Sequence, residues 1–158
     1  MNGDAARVDW LDLRRVPGLA DATGRLGMTS LAAAEGLRRH DGVHTLLLLV
    51  EDHELVVPPD AEDVRITRYP IPDMGVPADR MAFRSVLDAV RDEVRVGRSV
   101  VVACLGGYGR TGTAVACLLV DAGLGGDQAI ALVRAARPGT IERDPQEAFV
   151  RSWRTGRP

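Results

Sequence analysis

Apolar and polar positions along the chain separate into segments of period two and segments of helical period. Val43 to Val50 ends in the unbroken apolar run Leu46–Val50, bounded by Gly42 and by the charged Glu51-Asp52-His53-Glu54, which predicts a buried strand. Val64 to Tyr69 alternates apolar with basic residues, as a half-exposed strand does. Val8–Leu13 and the β-branched Ser99–Ala103 predict two further short strands, with an irregular, glycine-containing segment from the first of them through Gly27. Helices are predicted over Thr29–His40, with Thr29 or Ser30 as N-cap, and after Asp79, where Met81, Val86, Leu87, Val90 and Val94 fall near helical spacing before Gly97. Three more are predicted: from about Arg110 to Gly123, from Asp127 to Arg137 before Pro138-Gly139, and from Gln146 to Trp153. Pro70-Ile71-Pro72-Asp73-Met74-Gly75-Val76-Pro77 suits neither a helix nor a central strand. Strands separated by helices predict an α/β fold, with a central, largely parallel sheet flanked by helices, as a single domain over residues 1–158.

Composition narrows the function classes. At 158 residues and 46% hydrophobic, the chain is long enough to bury its own core without staples. A net charge of −2 gives no electrostatic footprint for nucleic acid or an anionic membrane. Leu46–Val50 is the longest apolar run and is far too short to span a bilayer. The N-terminal MNGDAARVDW has no basic patch followed by an apolar run, so no signal peptide is expected. Two cysteines, Cys104 and Cys117, make no disulfide framework, and a cytoplasmic location follows as the expectation. His40, His44 and His53 have no metal-ligand spacing to a cysteine, so neither a metal nor a cofactor is expected.

The chemistry-bearing segment is Val100-Val-Val-Ala-Cys104-Leu-Gly-Gly-Tyr-Gly-Arg110-Thr111-Gly112-Thr113, which reads as strand, glycine-rich turn, helix. Such a turn aims successive backbone N–H groups into one concavity, and the helix start adds partial positive charge. Leu105, Gly106, Gly107, Tyr108 and Gly109 would thus form a cradle for a tetrahedral anion, with Gly106, Gly107 and Gly109 providing the unusual dihedrals. Cys104 beside the helix N-terminus is placed to act as a thiolate nucleophile. Arg110 is placed to grip two phosphate oxygens, and the Thr111 hydroxyl to hydrogen-bond the sulfur as it leaves. Other readings weigh less. A lone cysteine at a strand end is usually a small core residue. Gly107-x-Gly109-x-x-Gly112 spells a dinucleotide fingerprint, but it lies late in the chain and the following region reads as helix. A Walker loop needs lysine, and all twenty basic residues are arginine. A Cys-His hydrolase needs a histidine base, and all three histidines lie within the first 53 residues.

Cys104-x5-Arg110-Thr111 resembles the signature loop of the protein-tyrosine and dual-specificity phosphatase superfamily. Cys-Leu-Gly-Gly-Tyr-Gly-Arg is most similar to the branch typified by the cyclin-dependent kinase-associated phosphatase. The resemblance extends over roughly Val64–Trp153: Pro70-Ile-Pro-Asp73-Met-Gly-Val-Pro resembles that branch's general-acid loop. It implies a protein-tyrosine-phosphatase-like fold and metal-free hydrolysis of phosphomonoesters, in phosphorylated proteins or small molecules, through a cysteinyl-phosphate. It implies Asp73 as general acid, with Asp79 as a rival that helix capping explains. It also implies Gln146 as the residue that positions water, where a solvent-exposed first-turn glutamine is the alternative. One position departs from the pattern. The superfamily usually has histidine before the cysteine, where it helps organise the loop, and this chain has Ala103. A weakly catalytic phosphoprotein-binding module therefore stands beside the enzyme, and a dinucleotide-binding oxidoreductase further behind. Arg134 and Arg137 read as cations near a helix C-terminus.

Overall fold

The computed structural model describes residues 7–55 and 63–154; the expectation about a signal peptide falls largely on residues 1–6, outside the described residues. Five strands form one sheet: β1 (Asp9–Trp10), β2 (Leu26–Ser30), β3 (Thr45–Leu48), β4 (Arg65–Arg68) and β5 (Val100–Cys104). Their spatial order is β1-β2-β5-β3-β4, antiparallel only where β1 meets β2. The largely parallel α/β fold expected from the sequence is what forms. The helices are α1 (Leu31–Ala34), α2 (Arg80–Arg95), α3 (Gly109–Asp121), α4 (Gly126–Ala136) and α5 (Asp144–Ser152).

Every residue of β5 is buried, which is what a continuous β-branched run in the middle of a parallel sheet requires. α3 leaves β5 and is buried from Gly109 to Val120, touching α2, α4 and α5 as well as β5. From Ala114 to Val120 the helix is apolar on every side and has no other place to go. α2 is amphipathic instead, and buries Phe83, Leu87, Val90 and Val94. Phe83, Phe149 and Trp153 pack ring against ring where α2 meets α5. Among the described residues no helix is long and apolar enough to cross a membrane.

Three expectations are corrected. The segment leading through Gly27 contains strand β2, because Gly27 lies under Trp10 of β1: a Cβ there would stand 2.8 Å from Trp10 Cε3. The helix expected over Thr29–His40 shrinks to the single turn α1, since Thr29 and Ser30 are drawn into register with Ala103 and Cys104. Ser30 is nonetheless the cap, its hydroxyl accepting from Ala33 N at 3.2 Å. Met81, expected on the buried face of α2, is 83% exposed, and Phe83 anchors the helix instead.

The parallel register brings the carboxyl ends of β2, β5, β3 and β4 to one edge of the sheet. In open α/β sheets that edge is where ligand-binding loops gather.

Candidate active site

Cys104 ends β5 and is 3% exposed, and Arg110 lies in the first turn of α3 and is 2% exposed. Between them, each loop carbonyl has a donor on the outer side. Leu105 O accepts from Leu31 N (3.2 Å), and Tyr108 O from Gly112 N and Ile141 N (3.0 and 3.1 Å). Gly106 O and Gly107 O both accept from the Arg137 guanidinium, at 3.0 and 2.8 Å. A planar trans peptide points its N–H opposite its C=O, so pinning these four carbonyls outward turns the amides of Gly106, Gly107, Tyr108 and Gly109 the other way. The N-cap of α3, Tyr108, makes no side-chain cap hydrogen bond, which leaves the positive end of the helix open beside them.

Of the three loop glycines expected to take unusual dihedrals, only Gly107 has positive φ (78°), and a Cβ there would stand 2.4 Å from Thr29 O. Gly109 sits tightly against α5, since a Cβ would stand 3.0 Å from Gln146 Nε2 and from Glu142 Oε1. Leu105 and Tyr108 are exposed, and the Tyr108 ring lies on the Arg137 side of the loop.

Arg110 is aimed by a residue that no sequence motif singled out. Glu54, in a short 3-10 turn beyond β3, accepts from Nη1 at 2.8 Å and from Nη2 at 2.7 Å. Nη1 also donates to Ile71 O at 2.9 Å. With five N–H donors on a guanidinium, this leaves the edge formed by Nε and the second Nη2 proton, and Asp73 Oδ1 lies 3.3 Å from Nη2. The hydrogen bonds from Arg110 hold the Glu54 carboxyl below its ordinary range, against the effect of its burial. Burial works against the Arg110 cation, but Glu54, Cys104 and Asp73 outweigh it, so Arg110 stays charged. The only hint of Glu54 in the sequence is a run of charge directly after a buried apolar strand.

Asp73 stands in the Pro-rich loop, its side chain 60% exposed, and lines one cleft together with Met74, Cys104, Arg110, Glu142, Arg143 and Gln146. Asp79 does not line it; its carboxylate caps α2 by accepting from Ala82 N at 3.0 Å. Gln146 is 1% exposed, contrary to the solvent-exposed alternative. Its Oε1 accepts from Arg143 N and its Nε2 donates to Gly75 O, at 3.1 and 3.3 Å, which ties α5 to the Asp73 loop. Met74 and Ile141, the two non-glycine residues with positive φ among those described, both flank this region, as strained backbone at functional sites does.

Thr111 departs from expectation. Its hydroxyl is buried and has no hydrogen-bond partner among the described residues, so it does not reach the Cys104 sulfur here. Cys117 is fully buried, and burial pushes its thiol well up, as suits a core residue. Nor do Arg134 and Arg137 act simply as helix-end cations: Arg134 donates to the carbonyls of Thr140 and Ile141, and Arg137 to the loop.

Three likenesses bear on this cleft. A protein of Methanocaldococcus jannaschii described as uncharacterised is 38% identical over 86 residues, covering 53% of this chain and 56% of that one, so the match spans just over half the length of that relative. The crystal structure of Tk-PTP in its active form is 27% identical, with TM-score 0.69, over 86% of this chain and 94% of that one. Kinase-associated phosphatase, crystallised with serine replacing its catalytic-site cysteine, superposes at TM-score 0.77 over 92% of each chain; at 21% identity it speaks to the fold. The Swiss Army Knife DSP-PTPase phosphatase-domain model matches residues 37–150, a span that runs from β3 to α5 and takes in Glu54, Asp73, Cys104, Arg110 and Gln146, and the chain belongs to that family.

Proposed function

We propose that this protein hydrolyses phosphomonoesters through a cysteinyl-phosphate, acting on phosphotyrosine and/or phosphoserine/threonine in proteins. The observation that carries the reading is the outward fastening of the loop carbonyls of Leu105, Gly106, Gly107 and Tyr108, which leaves the amides that follow them free for an oxyanion. In the first step the Cys104 thiolate forms an S–P bond as the P–O ester bond breaks, and the departing oxygen takes the proton of the Asp73 carboxyl. Arg110 and the loop amides follow the phosphoryl oxygens through the transfer. In the second step water attacks phosphorus, the Asp73 carboxylate takes its proton, and the S–P bond breaks to release phosphate and thiolate. Gln146, held between Arg143 and Gly75, sits where it can orient that water. The exposed Met74 on the cleft wall suits the apolar body of a side chain bearing the phosphate.

The test is Cys104→Ser. Turnover of an aryl phosphate should fall at least about a thousandfold, while an oxyanion still binds. Retained hydrolysis would remove Cys104 as nucleophile, and a phosphopeptide panel with wild type assigns the preferred residue. Ala103 and the unpaired Thr111 hydroxyl favour a second reading, a phosphoprotein-binding module that turns over slowly. Metal-independent, vanadate-sensitive turnover separates the two. The dinucleotide reading lacks its second strand, since α3 is followed by α4 and α5.

A further inference from the structure

Two of the four fastened carbonyls depend on one side chain that lies outside the cleft. Arg137 follows the last residue of α4, and a cation there would ordinarily serve that helix's own terminal carbonyls. Its guanidinium is spent elsewhere. Nε donates to Gly107 O at 2.8 Å, Nη2 to Gly106 O at 3.0 Å, and Nη1 to Asp9 Oδ2 at 2.7 Å. The Tyr108 ring lies against it, with Cζ 4.3 Å from the ring centroid. Arg137 and Asp9 are largely enclosed, with side chains 12% and 13% exposed, and β1 brings Asp9 across 128 positions of sequence to meet it.

The consequence follows from where the loop is weakest. Gly106-Gly107 is its most pliable pair, and nothing intrinsic to two glycines prevents those peptide planes from rotating. A rotated plane would present a carbonyl oxygen, not an N–H, to an incoming anion. Two carbonyls gripped by a planar fork are held against that rotation, and a carboxylate behind the fork fixes its angle. We propose that Arg137, set by Asp9, is a positioning residue that keeps the Gly107 and Tyr108 amides facing the phosphate, so that strand β1 takes part in building the site. This rests on the reading of residues 104–110 as an oxyanion cradle.

Calorimetric binding of tungstate to Cys104→Ser tests both, without needing turnover. Adding Arg137→Gln should weaken tungstate binding on the order of 10–100-fold, the size of one lost hydrogen bond to a charged group. Asp9→Asn should weaken it by a smaller factor, about three to ten. Arg137→Lys should remain impaired, because an ammonium keeps the charge without the fork. Arg84→Gln, which loses contacts to Asp121 and Trp153 and touches no residue of the cleft, should lower Tm and leave the affinity alone. Tungstate affinity within about twofold of the parent in a folded Arg137→Gln overturns the proposal. If Arg137→Gln does not fold, Asp9→Asn decides it: unchanged affinity there overturns it equally. Failure of Cys104→Ser itself to bind tungstate would remove the cradle, and the brace with it.

Discussion

Glu54→Gln isolates the contact that aims Arg110. Wild type has two charge-assisted hydrogen bonds there, at 2.7 and 2.8 Å, between side chains only 7% and 2% exposed, so solvent screens them little. Glutamine preserves shape and one acceptor, but turns an NH₂ group toward an Arg110 donor and leaves the cation with only the exposed Asp73 as a carboxylate partner. One such bond lost and one buried charge deprived of its buried partner together cost about 3 kcal/mol. Urea unfolding followed by the fluorescence of Trp10 and Trp153 at pH 7 reads that directly. Turnover of an aryl phosphate should fall about a hundredfold, since a guanidinium free to swing toward Asp73 no longer presents a fixed edge. The pH dependence has a definite sign. Glu54 is held below its ordinary range in the folded state by Arg110, so its contribution is complete above the unfolded carboxylate value of about 4.3 and is lost as pH falls through the lower folded value. The stability gap between wild type and Glu54→Gln should therefore be full at pH 7 and close in strong acid. A variant within about 0.5 kcal/mol of wild type at pH 7, or a gap that persists unchanged at low pH, refutes the reasoning.

Arg110→Lys should lose most activity, because an ammonium cannot bridge Glu54 and a phosphoryl group together; near-native turnover would make Arg110 merely structural. Asp73→Asn should slow substrates with poor leaving groups far more than an activated aryl phosphate, whereas Asp79→Asn should cost about 1 kcal/mol of stability or less and leave that dependence intact. The opposite pattern would transfer the acid role to Asp79. Gly107→Ala should abolish oxyanion binding or the fold itself, since its Cβ would stand 2.4 Å from Thr29 O at a φ of 78°; a stable, tungstate-binding variant would show that the loop has more room than its backbone indicates.

Local signals made some features legible in the one-dimensional sequence. The unbroken apolar runs of β3 and β5, the Asp79 cap and the Pro138-Gly139 stop each depend on a few neighbouring residues. The Cys104-x5-Arg110 spacing belongs with them, because a strand–turn–helix cradle is built by one contiguous segment. β2 was not legible. Gly27 argues against a strand by propensity, and Val8 and Trp10 lying over it explain the glycine.

What the sequence determined by itself was therefore the fold class, the loop and its two terminal residues. Which groups aim that loop was decided only in three dimensions. Glu54 reaches Arg110 across 56 positions, and Asp9 reaches Arg137 across 128. A carboxylate in a charged turn or near a chain end has the same local pattern whether it faces solvent or a buried guanidinium. Its role exists only once strand pairing has formed: parallel pairing gathers the carboxyl ends of β2, β3, β4 and β5 at one edge of the sheet, and antiparallel pairing with β2 places β1 and Asp9. Thr111 shows the converse: its place beside the signature arginine predicted a bond to sulfur, and the geometry of the first turn of α3 leaves the hydroxyl unpaired. Hydrogen bonds are satisfied by distance and angle, and sequence spacing constrains both only within a turn or a helix.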